Sequence, residues 1–214
     1  MGTSKIALFN NALGALGHRR LADTGEPIEA GRELNAVYSQ VVEECLASAS
    51  WNFAMETVQL DADTGVTPSF GYPKVFAKPT DWLRTIGISQ DEYFSYPLMH
   101  YYDDSNFFSA DNTPIYLRYV SDDTGLGLNL TRWPAKFTRF VELELAERVC
   151  TRITQNVSFK REDIQKDRDK ARKEAKTIDA MDEGTKFKPA SGWTMSRWGS
   201  NSGRDRGGRG SLIG

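Results

Sequence analysis

The chain has 214 residues, 39% of them hydrophobic and 26% charged, with a formal net charge of -2 at pH 7. That length fits one globular domain with an appendage, or two small ones, and the composition permits a buried core. No run approaches the roughly 18 apolar residues of a membrane span, and Met1-Gly2-Thr3-Ser4-Lys5-Ile6 offers neither a secretory apolar core nor a myristoylation signal, since Ile6 stands where Ser or Thr is needed.

Residues 3–16 predict a short helix. Thr3 or Ser4 can cap it, Ile6, Leu8, Phe9, Leu13 and Leu16 supply the apolar positions, and Gly17 stops it. Asp23-Thr24-Gly25-Glu26-Pro27 then reads as a loop. A longer helix follows over residues 29–49, with Leu34, Val37, Tyr38, Val41, Val42, Cys45 and Leu46 as its core face.

From Trp51 the texture changes. Residues 51–60 alternate polar and apolar side chains, as a half-exposed strand does. Residues 81–89 (Trp82, Leu83, Thr85, Ile86, Ile88) and 113–120 (Ile115, Tyr116, Leu117, Tyr119) are further strands. The links between them are rich in Gly, Pro, Asp, Asn and Ser, which suits antiparallel structure with long loops. Residues 93–108 carry Tyr93, Phe94, Tyr96, Tyr101, Tyr102, Phe107 and Phe108. Two accounts stay open for them: they cover a small sheet, or they form an exposed loop that meets a partner, because aromatics are enriched at interface centres.

A two-helix block closes the ordered part, over residues 131–183. Thr131-Arg132-Trp133-Pro134 is a start signal, with Thr131 as N-cap and Pro134 in the first turn. Phe137, Phe140, Val141, Leu145, Val149 and Ile153 recur at helical spacing, and the polar run 154–158 ends the helix. The second helix, residues 159–183, has a thin apolar stripe (Ile164, Ala171, Ala175, Ile178) on a surface of Lys, Arg, Asp and Glu. Such a helix packs on a narrow seam or bridges elements in solvent. After Gly184 the chain carries Lys186, Lys188, Arg197, Arg204, Arg206 and Arg209 against Asp205 alone. This basic, Gly- and Ser-rich tail cannot fold by itself, yet Trp193 and Trp198 lie in it and favour docking on an acidic partner, nucleic acid or protein.

Chemical motifs are weak throughout. Asp-Thr-Gly occurs at Asp23, Asp63 and Asp123, but the flanks are those of tight turns, unlike the apolar and hydroxyl flanks of aspartic proteases. Asp61-x-Asp63-x-Gly65 fails as a calcium loop because Tyr72 occupies the position of the bidentate Glu. Tyr102-Asp103-Asp104 reads as a polar hairpin. There is no phosphate loop, nucleophile elbow or metal-spaced His or Cys set, so no catalytic residue, cofactor or metal ligand is assigned. Cys45 and Cys150 read as small buried hydrophobes of a reducing compartment. Arg204-Asp205-Arg206-Gly207-Gly208-Arg209-Gly210 is similar to arginine–glycine segments that bind nucleic acid without sequence preference. A nucleic-acid-binding module is therefore the alternative function.

Taken in order, several segments resemble one family. They are Asn11-Ala12-Leu13-Gly14-Ala15-Leu16-Gly17, Gly25-Glu26-Pro27-Ile28, Ala49-Ser50-Trp51-Asn52-Phe53-Ala54, Lys78-Pro79-Thr80-Asp81-Trp82-Leu83-Arg84, Ile115-Tyr116-Leu117-Arg118-Tyr119, and Trp133-Pro134 with Phe140. Together they resemble the tail tubular protein A, or head-to-tail adaptor, family of short-tailed bacteriophages over residues 10–153. The tail after Gly184 departs from that family.

The resemblance implies an α+β fold: a bundle of about four helices with an inserted small antiparallel β domain and an extended C-terminal arm. The expected parts are residues 1–50 and 131–183 for the bundle, 51–130 for the insertion and 184–214 for the arm. It implies a non-enzymatic virion protein of the tail neck, present in the host cytoplasm during assembly. The subunits would form a homo-oligomeric ring, a 12-mer, between the portal protein and a nozzle protein of the tail tubular protein B type. DNA would pass through its lumen without sequence-specific contacts, and no membrane is involved. Some neck proteins also hydrolyse cell wall, but no carboxylate pair here has recognisable spacing for that. Phe187, Trp193, Met195, Arg197, Trp198, Arg204, Arg206 and Arg209 are then expected to grip the portal. Asp163, Asp167, Asp169, Glu174, Asp179, Asp182 and Glu183 are expected to line the lumen, where carboxylates repel phosphates and let a duplex slide. Tyr93, Phe94, Tyr96, Tyr101, Tyr102, Phe107 and Phe108 are expected to face nozzle and tail fibres.

Overall fold

A computed structural model describes residues 4–66, 68, 70–153 and 158–182, with side chains in the last helix from Arg161 onward. The chain divides into Met1–Asp182 and Glu183–Gly214, and the second unit lies outside the described residues. The fold is α+β, as expected. Among the described residues, four α-helices flank six short strands in the order α1 (Lys5–Leu16), α2 (Glu29–Ala47), β1 (Met55–Leu60), β2 (Lys74–Ala77), β3 (Trp82–Ser89), β4 (Tyr102–Asp103), β5 (Phe107–Ala110), β6 (Ile115–Ser121), α3 (Ala135–Ile153) and α4 (Ser158–Asp182).

Local chemistry sets the helix ends. Ser4 accepts the Ala7 amide at 3.3 Å as the N-cap of α1. Gly17 ends α1 in the left-handed region at φ 72°, which only glycine enters without strain. Thr131 does not cap α3. Its hydroxyl instead donates to Asn129 Oδ1 at 2.6 Å within a turn, and α3 begins after Pro134, whose carbonyl accepts the Thr138 amide at 2.9 Å.

α3 is the hub of the bundle, packing against each of the other three helices. It is therefore buried around much of its circumference, from Phe137 to Cys150, including Thr138 and Glu142. Leu8, Phe9, Leu13, Leu34, Val41 and Leu46 close over it from α1 and α2. Each such side chain contributes about 1.5–3 kcal/mol by leaving water. Among its described side chains, from Arg161 onward, α4 adds Ile164, Ala171 and Ala175 to this core.

The strands form two three-stranded antiparallel sheets, β1-β6-β3 and β2-β5-β4. The first sheet lies between the bundle and the second sheet, and β6 alternates accordingly. Val120 joins the bundle core, while Ile115, Leu117 and Tyr119 join a second core with Phe76 and Phe108. β3 serves both layers through two register shifts, between Trp82 and Arg84 and between Thr85 and Gly87. Each bulge inserts one residue and breaks the two-residue alternation. Leu83 and Ile86 thereby reach the bundle, while Trp82 and Ile88 keep to the second core. β2 was not expected from sequence, while β4 and the start of β5 fall in the aromatic stretch 93–108, for which a small sheet was one of the two accounts.

Candidate interaction surfaces

The chain leaves the bundle for the sheets through residues 48–54 and returns through residues 122–134, and a tryptophan fastens each crossing. Trp51 is 1% exposed and donates its indole N–H to the Cys45 carbonyl at 2.9 Å. Trp133 donates to the Gly127 carbonyl at 2.7 Å. Both rings meet Phe137 edge-on, at 4.9 and 5.0 Å between centroids, and Phe53 joins them at 4.8 Å. Such pairs add about 0.5–1.5 kcal/mol each beyond area burial. Gly127 has no room for a side chain, because a Cβ there would sit 2.0 Å from the Ser121 carbonyl oxygen. The 3-10 turn Asn52–Ala54 that opens the way to β1 is capped from α4. Asp179 accepts the Asn52 amide at 3.0 and 3.2 Å, and Asn52 Nδ2 donates to the Asp179 carbonyl at 2.6 Å.

A second polar knot joins the two sheets. The Lys78 side chain is 7% exposed, with Nζ 2.5 Å from Asp103 on β4. The same Nζ stands 3.9 Å from the Trp82 ring and 4.8 Å from the Phe108 ring. Nearby, Asp81 accepts the Tyr119 hydroxyl at 3.1 Å and the Ser121 hydroxyl. Burial, then the Asp81 charge, push the Tyr119 phenol above its ordinary range. Burial and the Asp81 charge also raise the Asp122 carboxyl. These groups hold the loop before β3 onto β6.

The seven aromatics expected to face a partner separate into three groups. Tyr93, Tyr96 and Tyr102 are exposed, at 79, 69 and 53%. Phe94, Tyr101 and Phe107 are half-buried. Phe108 is fully buried against Phe76 and Leu117, so it is core and unavailable to a partner. It pairs with Phe76 across β5 and β2, and that pairing points it between the sheets. Phe70, 85% exposed, and Met99, 79% exposed, extend the apolar surface and were not singled out in the sequence. An isolated apolar residue in a polar loop gives no periodic signal of which way it points.

The loop bearing Tyr93 and Tyr96 is built around Asp91. Its carboxylate accepts the Ser89 hydroxyl at 2.6 Å and the Tyr96 and Ser95 amides at 2.9 and 3.1 Å. These bonds, the Ser89 hydroxyl foremost, hold its pKa down to about 2. Phe94 takes φ 57°, a left-handed conformation that costs a non-glycine residue free energy and survives only where neighbours fix it. The Arg118 guanidinium lies over its ring at 4.4 Å. Tyr93 and Tyr96 therefore stand on a loop fixed by its own hydrogen bonds.

The acidic residues of α4 do not form one face. Asp163, Asp167, Asp169 and Asp182 are exposed, and Asp169 pairs with Arg168 at 3.1 Å. Glu174 binds Lys136 at 2.7 Å, which lowers its pKa. Asp179 turns inward to cap Asn52, so it is a structural ligand of the backbone rather than part of a lining. α4 holds eight Lys and Arg against seven Asp and Glu. Its charge is mixed. Glu183 and the arm residues Phe187, Trp193, Met195, Arg197, Trp198, Arg204, Arg206 and Arg209 lie outside the described residues.

Among the described residues, no group of three or more His, Cys, Asp or Glu side chains is placed to hold a metal ion, and no helix is long and apolar enough to cross a membrane. Cys45 and Cys150 are both buried, and burial raises the Cys45 thiol far above its ordinary pKa. No protein-family model matches the chain, and no curated protein matches it significantly.

Proposed function

We propose that the chain is a structural head-to-tail adaptor of a short-tailed bacteriophage, with no catalytic step of its own. In this reading copies assemble into a ring, a 12-mer, between the portal and a tail nozzle, and DNA passes through the lumen. The β region meets the nozzle protein and tail fibres, and the basic arm, residues 184–214, grips the portal. The protein acts in the virion neck and is assembled in the host cytoplasm.

One observation carries the reading. The segments that resemble the adaptor family lie far apart in sequence, yet two of them meet at the crossing between bundle and sheets. Trp51 and Phe53 from one, and Trp133 and Phe140 from the other, close around Phe137. A third, Lys78 to Arg84, supplies the knot between the sheets. A body that must carry load between two partners needs such a rigid joint between the parts that meet them. The fixed loop with exposed Tyr93 and Tyr96 further supports a protein-facing role for the β region.

The decisive experiment is the solution mass of the full chain, alone and mixed with purified portal. A ring-sized species, or a complex with portal of matching stoichiometry, is expected. A protein that stays monomeric beside portal overturns the proposal. A gel shift at two salt concentrations, with and without residues 184–214, separates the alternative. Tight, salt-sensitive DNA binding that needs the tail favours a nucleic-acid-binding module.

A further inference from the structure

α4 is attached unlike the other helices, because its seam is mostly polar among the described side chains, from Arg161 onward. In its first half, Ile164 is buried, Gln165 Nε2 donates to Glu147 Oε1 at 2.7 Å, and Arg168 reaches Glu147 at 2.9 Å and Glu144 at 3.2 Å. Ala171 and Ala175 follow, and they bring little apolar area. In its last two turns the partners change. Lys176 Nζ donates to the Ser48 carbonyl at 3.2 Å, and Asp179 caps Asn52 with its carboxylate and accepts the Asn52 side chain on its carbonyl. Both contacts fall on the segment that leads from α2 into β1.

We infer that α4 is a strap that docks and undocks as one unit, and that its docking decides whether the segment entering the β region is held. The two halves of the seam lie on one unbroken helix, with Ile164 and Asp179 about 22 Å apart along it. A narrow seam with few buried apolar contacts marks an element that opens below the free energy of global unfolding. When α4 lifts, Trp51 remains seated on Phe137 and serves as the pivot. Asn52 loses the carboxylate and carbonyl acceptors that Asp179 supplies, which frees the turn Asn52–Ala54, while Met55 and Glu56 stay paired with β6. The strap thus connects its own far seam at Ile164 and Arg168 with the start of the first sheet, through a two-state element of the kind coupling requires. The inference concerns the isolated chain and goes beyond the adaptor reading, whose failure would leave it measurable.

Hydrogen exchange on the whole 214-residue chain tests it. Asp179→Ala, which removes the cap directly, sets the reference: exchange at Asn52–Met55 accelerates about tenfold. Ile164→Asp and the milder Arg168→Ala loosen the far half of the seam and touch none of those residues. Both are expected to accelerate α4 and Asn52–Met55 together, by similar factors, with α1 and α3 unchanged. Acceleration confined to the first half of α4 would overturn the proposal, because the helix then peels. So would equal acceleration in α1 and α3, which signals global loosening, or an α4 that exchanges no faster in either variant.

Discussion

Asn11 on α1 donates its side-chain amide to Glu142 Oε1 on α3 at 2.6 Å, across 131 positions of sequence. Glu142 is 5% exposed, and Arg139 lies 3.4 Å from its other carboxylate oxygen. A buried carboxylate that loses a donor keeps its desolvation cost, about 1.5–3 kcal/mol for a bond to a charged group. Asn11→Ala is therefore expected to lower the melting temperature by about 3–12 °C in a chain of this size. Calorimetry checks this, and an unchanged melt would show that water replaces the amide.

Lys78 makes a similar link inside the β region. Its Nζ stands between the Trp82 and Phe108 rings and Asp103. Lys78→Ala should cost about 2 kcal/mol, since a desolvated cation over aromatic rings is worth that much. Lys78→Met keeps the apolar stem and should cost less. Urea midpoints read through tryptophan fluorescence give both values, and equal losses would assign the effect to charge alone.

The Asp91 carboxyl, held down to about 2, ties loop order to pH. Its folded pKa lies below the ordinary value near ~3.9, so the stabilisation is present above that value and disappears as pH falls through about 2. NMR titration should show the Ser95 and Tyr96 amide shifts following a midpoint near 2. Ser89→Ala should move that midpoint upward, because the Ser89 hydroxyl is its strongest support.

Tyr93 and Tyr96 should separate binding from stability. Tyr93→Ala with Tyr96→Ala removes exposed rings, and surface changes of this kind stay within about 0.5 kcal/mol. In the adaptor reading the same variant weakens binding to the nozzle protein about tenfold, as loss of interface aromatics does. Phe108→Ala should show the reverse, losing about 3–5 kcal/mol from the second core. Calorimetry paired with a titration against nozzle protein reads both. Undiminished binding by the tyrosine variant would remove this surface from the proposal.

Periodicity alone located the four helices within a few residues and the three strands of the first sheet. A stripe such as Phe137, Phe140, Val141 and Leu145 needs only helical geometry to be seen. It could not locate β2, whose four residues carry too few alternations to register, and it left the stretch holding β4 and the start of β5 open between a small sheet and an exposed loop. Nor could it decide what each side chain faces. Phe108 and Tyr102 look alike as aromatic residues of one loop-rich stretch, yet one is core and the other is exposed. Asp179 resembles the other acids of α4 until Asn52 arrives beneath it. The bulges of β3, the cramped Gly127 and the Lys78 knot follow the same rule. Spacing is a property of the local chain, whereas burial and pairing depend on segments up to 131 positions away, and only folding brings those together.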